Sequence, residues 1–264
     1  MADATSGPER APRIQRVPQR FGTIVVVGGG CYGRYYVRQL ARAEHAGALA
    51  WRELVVVDHD AACQVAALTP EERPSALRLE RAEWREYFAA YLARAAECPD
   101  DAREDAIVPS PLMPHLMADW LAERARARWP HRRVATEPLT HPPTVPWQRA
   151  GEDGTHYVSV AEWMCPINCI EPARCPHTRG DRTWSLPVAL ARHGADERAA
   201  GRPVEGPFVF HCAHRAFGVG MLDVRDVLAA DRAIADRGAA TSPAAFLVGT
   251  ASHCHGALRR IVVD

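Results

Sequence analysis

Thr23-Ile-Val-Val-Val-Gly28-Gly-Gly-Cys-Tyr-Gly33 carries the reading that decides the fold. A β-branched run, the signature of a buried parallel strand, passes directly into a loop that satisfies G-x-G-x-x-G. A helical stretch follows, with Tyr36, Val37, Leu40 and Ala41 on one face. Leu54-Val-Val-Val57 then reads as a second strand, ending at Asp58. Gly28 allows the tight turn, Gly30 lets backbone approach a pyrophosphate, and Gly33 lets the helix pack close to the strand. The helix start at Cys31 and Tyr32 offers N–H groups and a partial positive charge. Asp58 is placed to accept hydrogen bonds from an adenosine ribose and would repel a 2′-phosphate. No Arg immediately follows it, which favours NAD over NADP. The interval from Gly28 to Asp58 is longer than usual, so the helix or its return loop is extended. Two other readings share this topology: a Rossmann-shaped scaffold with no nucleotide, and an S-adenosylmethionine-dependent methyltransferase.

The alternation of strand and helix continues. Trp84, Tyr87, Phe88, Tyr91 and Leu92 recur at helical spacing and read as core. Asp105-Ala-Ile-Val108 reads as a strand, and Met113, Leu116, Met117, Trp120 and Leu121 line the next helix. Arg133-Val-Ala-Thr136 is another strand, closing at Glu137-Pro138-Leu139. The fold class expected is α/β: a Rossmann-like parallel sheet with a Cys/His-rich α/β extension.

Val108-Pro-Ser-Pro111-Leu-Met-Pro-His115, followed by a helix and a strand ending Glu137-Pro138-Leu139, resembles the nucleotide domain of the glucose–fructose oxidoreductase/inositol dehydrogenase family. Val55-Val-Val-Asp58-His-Asp60 is similar to the nucleotide domains of potassium-uptake regulators. The resemblance covers roughly Phe21 to Leu139 and implies a Rossmann fold that binds NAD(P). The oxidoreductase family works hydride transfer with a Lys in a Glu-Lys-Pro motif. That Lys has no counterpart here, so the mechanism does not carry over.

All 32 basic residues are Arg. The absence of Lys excludes a Walker-A loop, Schiff-base catalysis and covalent pyridoxal phosphate. Formal net charge is zero, so no electrostatic footprint for nucleic acid or an anionic membrane is expected. Residues 1–20 are polar, rich in Pro and Arg, and lack the apolar core of a signal peptide. They read as a disordered tail on a cytoplasmic protein.

The proline-rich break His141-Pro-Pro-Thr-Val-Pro146 divides a dinucleotide-binding region, 21–145, from a Cys/His-rich region, 146–264. An alternative is that the later strands extend the first sheet. Five of the 8 Cys lie after Met164. Cys165-Pro-Ile-Asn-Cys169-Ile-Glu171-Pro-Ala-Arg-Cys175-Pro-His177 gathers three thiols and an imidazole. His211-Cys212-Ala-His214 and His253-Cys254-His255 follow. Without a secretion signal, such clusters point to metal or redox chemistry before disulfides. A four-coordinate zinc would take Cys165, Cys169, Cys175 and one of His177, Cys212 or Cys254. Pro after Cys165 and Cys175 suits an iron–sulfur cluster equally, and the C-x3-C-x5-C spacing does not choose between the two. Cys63, Cys98, His45, His131, His141 and His193 have no constellation.

Phe208-Val-Phe210 and Ala244 to Val248 are strands, each running into a later cluster. If they are parallel neighbours, both clusters emerge at one sheet edge, where α/β proteins bind ligands. Helices are expected at Ser185–Ala195 and Asp223–Asp236, and a last strand at Leu258–Val263. His214, His253 and His255 are candidates for proton transfer by residue type. The function expected is an NAD-binding oxidoreductase with a thiolate metal centre, zinc or iron–sulfur, beside the nucleotide site. The alternatives are a non-catalytic NAD- or metal-responsive sensor, or a methyltransferase.

Overall fold

A computed structural model describes residues 17–163, 165–202, 204–240 and 242–264. The tail expected over 1–20 lies, for residues 1–16, outside the described residues. Gln19 and Arg20, assigned to it from sequence, already pair as strand with Leu49 and Ala50.

The chain is α/β. β1 (Gln19–Val27), α1 (Cys31–His45), β2 (Leu49–Asp58), β3 (Leu77–Arg81), α2 (Trp84–Glu97), β4 (Ala106–Val108) and α3 (Leu116–Arg128) come first. β1, β2, β3 and β4 pair in parallel in the order β3-β2-β1-β4. Strand alternation divides the β1 side chains between the two faces. Ile24 and Val26 pack beneath α1 with Val37 and Leu40. Val25 and Val27 face α2 and α3 with Phe88, Leu92 and Leu121. The aromatic stripe read as core from sequence is core, with Tyr91 hydroxyl donating to Asp105 Oδ2 at 2.6 Å.

The rest of the chain builds a second sheet and returns to the first. β5 (Val134–Glu137), β6 (Trp147–Ala150), β7 (His156–Ser159), α4 (Leu186–Ala199) and β8 (Glu205–His211) are followed by β9 (Ala213–Ala216), β10 (Val219–Asp223), α5 (Val224–Gly238), β11 (Ala244–Ala251) and β12 (His255–Val263). The second sheet runs β6-β7-β12-β11-β8, with β5 also antiparallel to β12. The strand read at Arg133–Thr136 therefore exists, but it pairs with β12 and not with the Rossmann-like sheet. β10 lies antiparallel to β4 and extends the first sheet, with β9 beyond it. The proline break at 141–146 falls between two strands of the second sheet, and β9 and β10 cross back over that line.

One core joins the sheets. Val55, Val57 and Ile107 of the first and Phe246, Val248 and Ile261 of the second share a cluster with α2, α3 and α5. Those helices form a middle layer between the sheets. α4 covers the far face of the second sheet, where Leu186 and Leu190 pack on Leu247 and Leu258. Buried Arg259 crosses the joint. Its guanidinium donates to Asp119 Oδ1 on α3, to Thr155 Oγ1 at 2.9 Å and to Asp153 Oδ2 at 2.5 Å. Among the described residues, no helix is long and apolar enough to cross a membrane.

Candidate functional site

The glycine loop has the geometry its sequence demands. Gly28 leaves β1 at φ 87°, a conformation costly for any residue with a Cβ, and its N–H bonds Val57 O at 2.9 Å. At Gly33 a Cβ would overlap the Gly28 carbonyl oxygen, so only glycine lets α1 pack this close. Gly30 is exposed at the N-cap of α1, and a Cβ there meets nothing within 4 Å. The first turn of α1 holds no acidic residue. The loop thus combines open space with a helix N-terminus, the arrangement a phosphate group fits. Cys31 is exposed beside it, and Tyr32 is half-buried.

Asp58 ends β2 as expected, and part of its carboxylate is already used. Oδ2 accepts from Gly29 N–H at 2.7 Å and Oδ1 from Asp60 N–H at 2.9 Å. The carboxylate therefore braces the glycine loop from below.

The second-half clusters converge because β8 and β11 are parallel neighbours, with His211 opposite Ala251. Cys212 N–H bonds Ala251 O at 2.9 Å, locking the ends of the two strands together. The turn from β11 to β12 carries His253 and Cys254, closed by Ser252 N–H on His255 O at 2.8 Å. The 165–182 loop folds over this edge. Arg182 donates to the Glu171 carbonyl, and Glu171 Oε1 accepts from His253 N–H at 3.1 Å.

Three thiols belong to this edge: Cys165, Cys169 and Cys254. Cys165 and Cys169 line the same cleft, and Cys254 sits in the adjoining β11–β12 turn. Burial, then the neighbouring Cys169 and Cys254, push the Cys165 thiol up to about 12. Burial also raises Cys254, whose sulfur accepts Trp184 Nε1–H at 3.1 Å. Cys175 stands in its own hairpin, closed by its N–H on Gly180 O at 2.8 Å. The Thr178 amide first, opposed by burial and aided by the Thr178 hydroxyl and the His177 amide, holds the thiol below its ordinary value. The His177 ring is stacked on Trp163 at 4.3 Å between centroids. Cys212 is fully buried, raised to about 12 by burial and then by the Glu171 charge, beside Tyr36 of α1.

Imidazoles lie at the same edge, His214 and His255 lining the cleft with Cys165 and Cys169. His211 and His253 meet edge to face at 4.8 Å, and His253 Nδ1 lies 3.4 Å from Ser185 Oγ. His255 Nδ1 lies 3.0 Å from Ser159 Oγ. His211, His214 and His255 are all held below the ordinary imidazole range, by burial in each case. Each leaves one ring nitrogen buried without a partner: Nε2 of His211, Nδ1 of His214 and Nε2 of His255. Glu171 is the carboxylate whose charge acts on all three rings and on Cys212 and Cys254. Sequence alone placed Glu171 only as a flanking residue. Nothing in its local pattern marks it, because its neighbours come from β8, β9 and the β11–β12 turn. Among the described residues, no three Cys, His, Asp or Glu side chains stand at metal-bonding distance from a common point. A metal here requires side chains to turn inward from the positions they hold.

A cleft of about 780 Å³ connects the two halves. Tyr32 and Tyr36 of α1 and the Pro109–Pro111 turn after β4 form one wall. Cys165, Cys169, Glu171, His214 and His255 stand on the other. The cleft opens at the carboxyl ends of β4, β8 and β11, the edge at which α/β sheets gather ligands.

Residues 117–264, more than half of the chain, match the family described as "Uncharacterized protein, C-terminal domain". The matched segment holds every second-half Cys and His cluster. No curated protein and no solved structure matches the chain.

Proposed function

We propose that this chain, which belongs to the family described as "Uncharacterized protein, C-terminal domain", is an NAD-binding oxidoreductase whose thiolate metal centre faces the nucleotide site. One observation carries the reading. The cleft is lined by Tyr32 in the first turn of α1 and by Cys165 and Cys169 of the folded-over loop. A dinucleotide with its pyrophosphate at Gly30 would extend past Tyr32 into that space. Its adenosine half would lie toward Asp58 at the end of β2.

The donor set suits a soft or borderline metal. Cys165 and Cys169 line the cleft, Cys254 sits in the adjoining turn, and the Cys175 thiol is held below its ordinary value. Bound there, zinc would polarise a substrate oxygen, and an iron–sulfur cluster would carry single electrons. The protein's own part is positioning. Tyr32 and Tyr36 line the cleft, and burial holds the His214 and His255 rings below the ordinary imidazole value.

Equilibrium titration of the purified chain with NADH and with S-adenosylmethionine tests this. Saturable NADH binding without S-adenosylmethionine binding is expected. Binding of S-adenosylmethionine alone would move the protein to the methyltransferase class, and binding of neither would end the nucleotide reading.

A further inference from the structure

The cleft has a charge character that neither the glycine loop nor the thiols account for. The chain holds no Lys, and among the described residues no Arg lines the cleft. Its carboxylates are exposed Glu162 and half-buried Glu171. Burial holds the His214 and His255 rings below the ordinary imidazole range, so near neutral pH they add no positive charge to offset the two acids. Two guanidiniums come near and are used elsewhere. Arg182 donates to the Glu171 carbonyl, and Arg149 stands over the Tyr157 ring at 5.9 Å. Neither belongs to the lining.

Glu171 is fixed where it stands. Its φ of 49° is uncommon for a residue with a side chain, and its Oε1 accepts from the His253 amide at 3.1 Å. Among the described residues, no side-chain cation pairs with its carboxylate. A carboxylate half withdrawn from water without a counter-charge is unfavourable, and a ligand that brings a positive charge relieves it. A carboxylate or phosphate ligand would instead meet like charge. Much of the remaining lining is apolar or aromatic, with Tyr36, Trp147 and Trp163 in it. Trp163 is held in place by stacking on His177 at 4.3 Å. The faces of such rings attract an ammonium group electrostatically. At about 780 Å³ the cleft has the size of a small-molecule site. Gly30, the proposed pyrophosphate position, lies outside this lining.

We infer that the cleft binds a small organic cation, an ammonium group on an apolar or aromatic body, with the charge at Glu171 and the body against the aromatic lining. Calling that ligand the substrate rests on the oxidoreductase reading; its binding does not.

Calorimetric titration of the full chain near neutral pH, without nucleotide, tests this with three probes of similar body: phenethylamine, phenethyl alcohol and phenylacetate. Phenethylamine should bind about tenfold or more tighter than the alcohol, and phenylacetate should not bind. Glu171→Gln, with circular dichroism unchanged, should bring the amine down to the affinity of the alcohol. Trp147→Ala removes an exposed ring and should weaken the amine several-fold. The inference is overturned if phenylacetate binds as well as the amine, if none of the three binds, or if Glu171→Gln keeps the preference for the amine. Should Glu171→Gln not fold, an unchanged amine affinity in Trp147→Ala decides against it and a weakened one supports it. NADH titration of the same preparation keeps the two readings apart. Amine binding without NADH binding leaves this inference standing and ends the nucleotide reading; NADH binding without amine binding does the reverse.

Discussion

Gly30→Asp separates the proposed nucleotide site from the scaffold that would build it. Gly30 is the exposed N-cap of α1 at φ −71° and ψ −155°, and a Cβ there meets nothing within 4 Å. The backbone is ordinary for any residue, so no strain opposes the change. Asp is a preferred N-cap, and its charge favours the helix N-terminus by about 0.3–1 kcal/mol. The fold should therefore keep its stability or gain slightly. The same carboxylate would occupy the place of a pyrophosphate. Two unit charges at 4 Å repel by about 4 kcal/mol at an effective dielectric near 20. Solvent and salt at this exposed position reduce that to about 1.4–2.7 kcal/mol, a 10- to 100-fold loss of affinity. NADH titration and urea denaturation on the same preparations read both quantities. A folded variant of unchanged stability and unchanged NADH affinity would refute the placement of the pyrophosphate. An unfolded variant would refute the description of Gly30 as open.

Other perturbations address the scaffold and the thiols. Gly33→Ala should destabilise by about 3 kcal/mol or more, since the clash is with backbone oxygen and α1 must lift from β1; an unchanged urea midpoint would contradict that packing. Arg259→Ala should cost about 3 kcal/mol by leaving Asp119 buried with only half-exposed Arg85 at 3.0 Å and the His115 ring at 3.8 Å beside it; a loss below 1 kcal/mol would show the joint between the sheets to be carried elsewhere. Cys169→Ser should lower the metal content of anaerobically purified protein while exposed Cys98→Ser leaves it intact; equal content in both would remove the thiolate centre. His115, His156 and His193 lie away from the donor cluster, and burial holds each below the ordinary imidazole value. The folded chain takes up these protons less readily than the unfolded one, so stability is full above pH about 6.5 and falls as pH drops below it. The urea midpoint of metal-free protein should decline between pH 7.5 and 5; a flat profile would contradict the burial of these rings.

The first β-α-β unit was legible because local signals agree there. A β-branched run, a glycine loop and an amphipathic helix specify one another within a few turns of chain. Pairing was less legible than strands. Val134–Glu137 reads as a strand from its composition, yet four residues carry no information about which sheet they join. The return of β10 to β4 was likewise hidden, though Phe217 and Gly218, both at positive φ, mark the hairpin that makes it. The convergence of His211 and His253 was readable, since each follows a strand and the two strands pair in parallel. Glu171 was not. It is one of 32 acidic residues, and only the folding of its loop over that edge gives it imidazole and thiol neighbours. Local spacing also grouped His177 with the thiols, whereas its ring is spent on Trp163.

The central claim is adjacency: a dinucleotide and a metal share one cleft. Proton relaxation of NAD⁺ bound to the Co²⁺-loaded chain, compared with the Zn²⁺-loaded chain, measures it directly. Paramagnetic Co²⁺ should speed relaxation of the nicotinamide protons far more than that of the adenine protons, which lie toward Asp58. Equal relaxation of both rings, or none in either, would contradict the account.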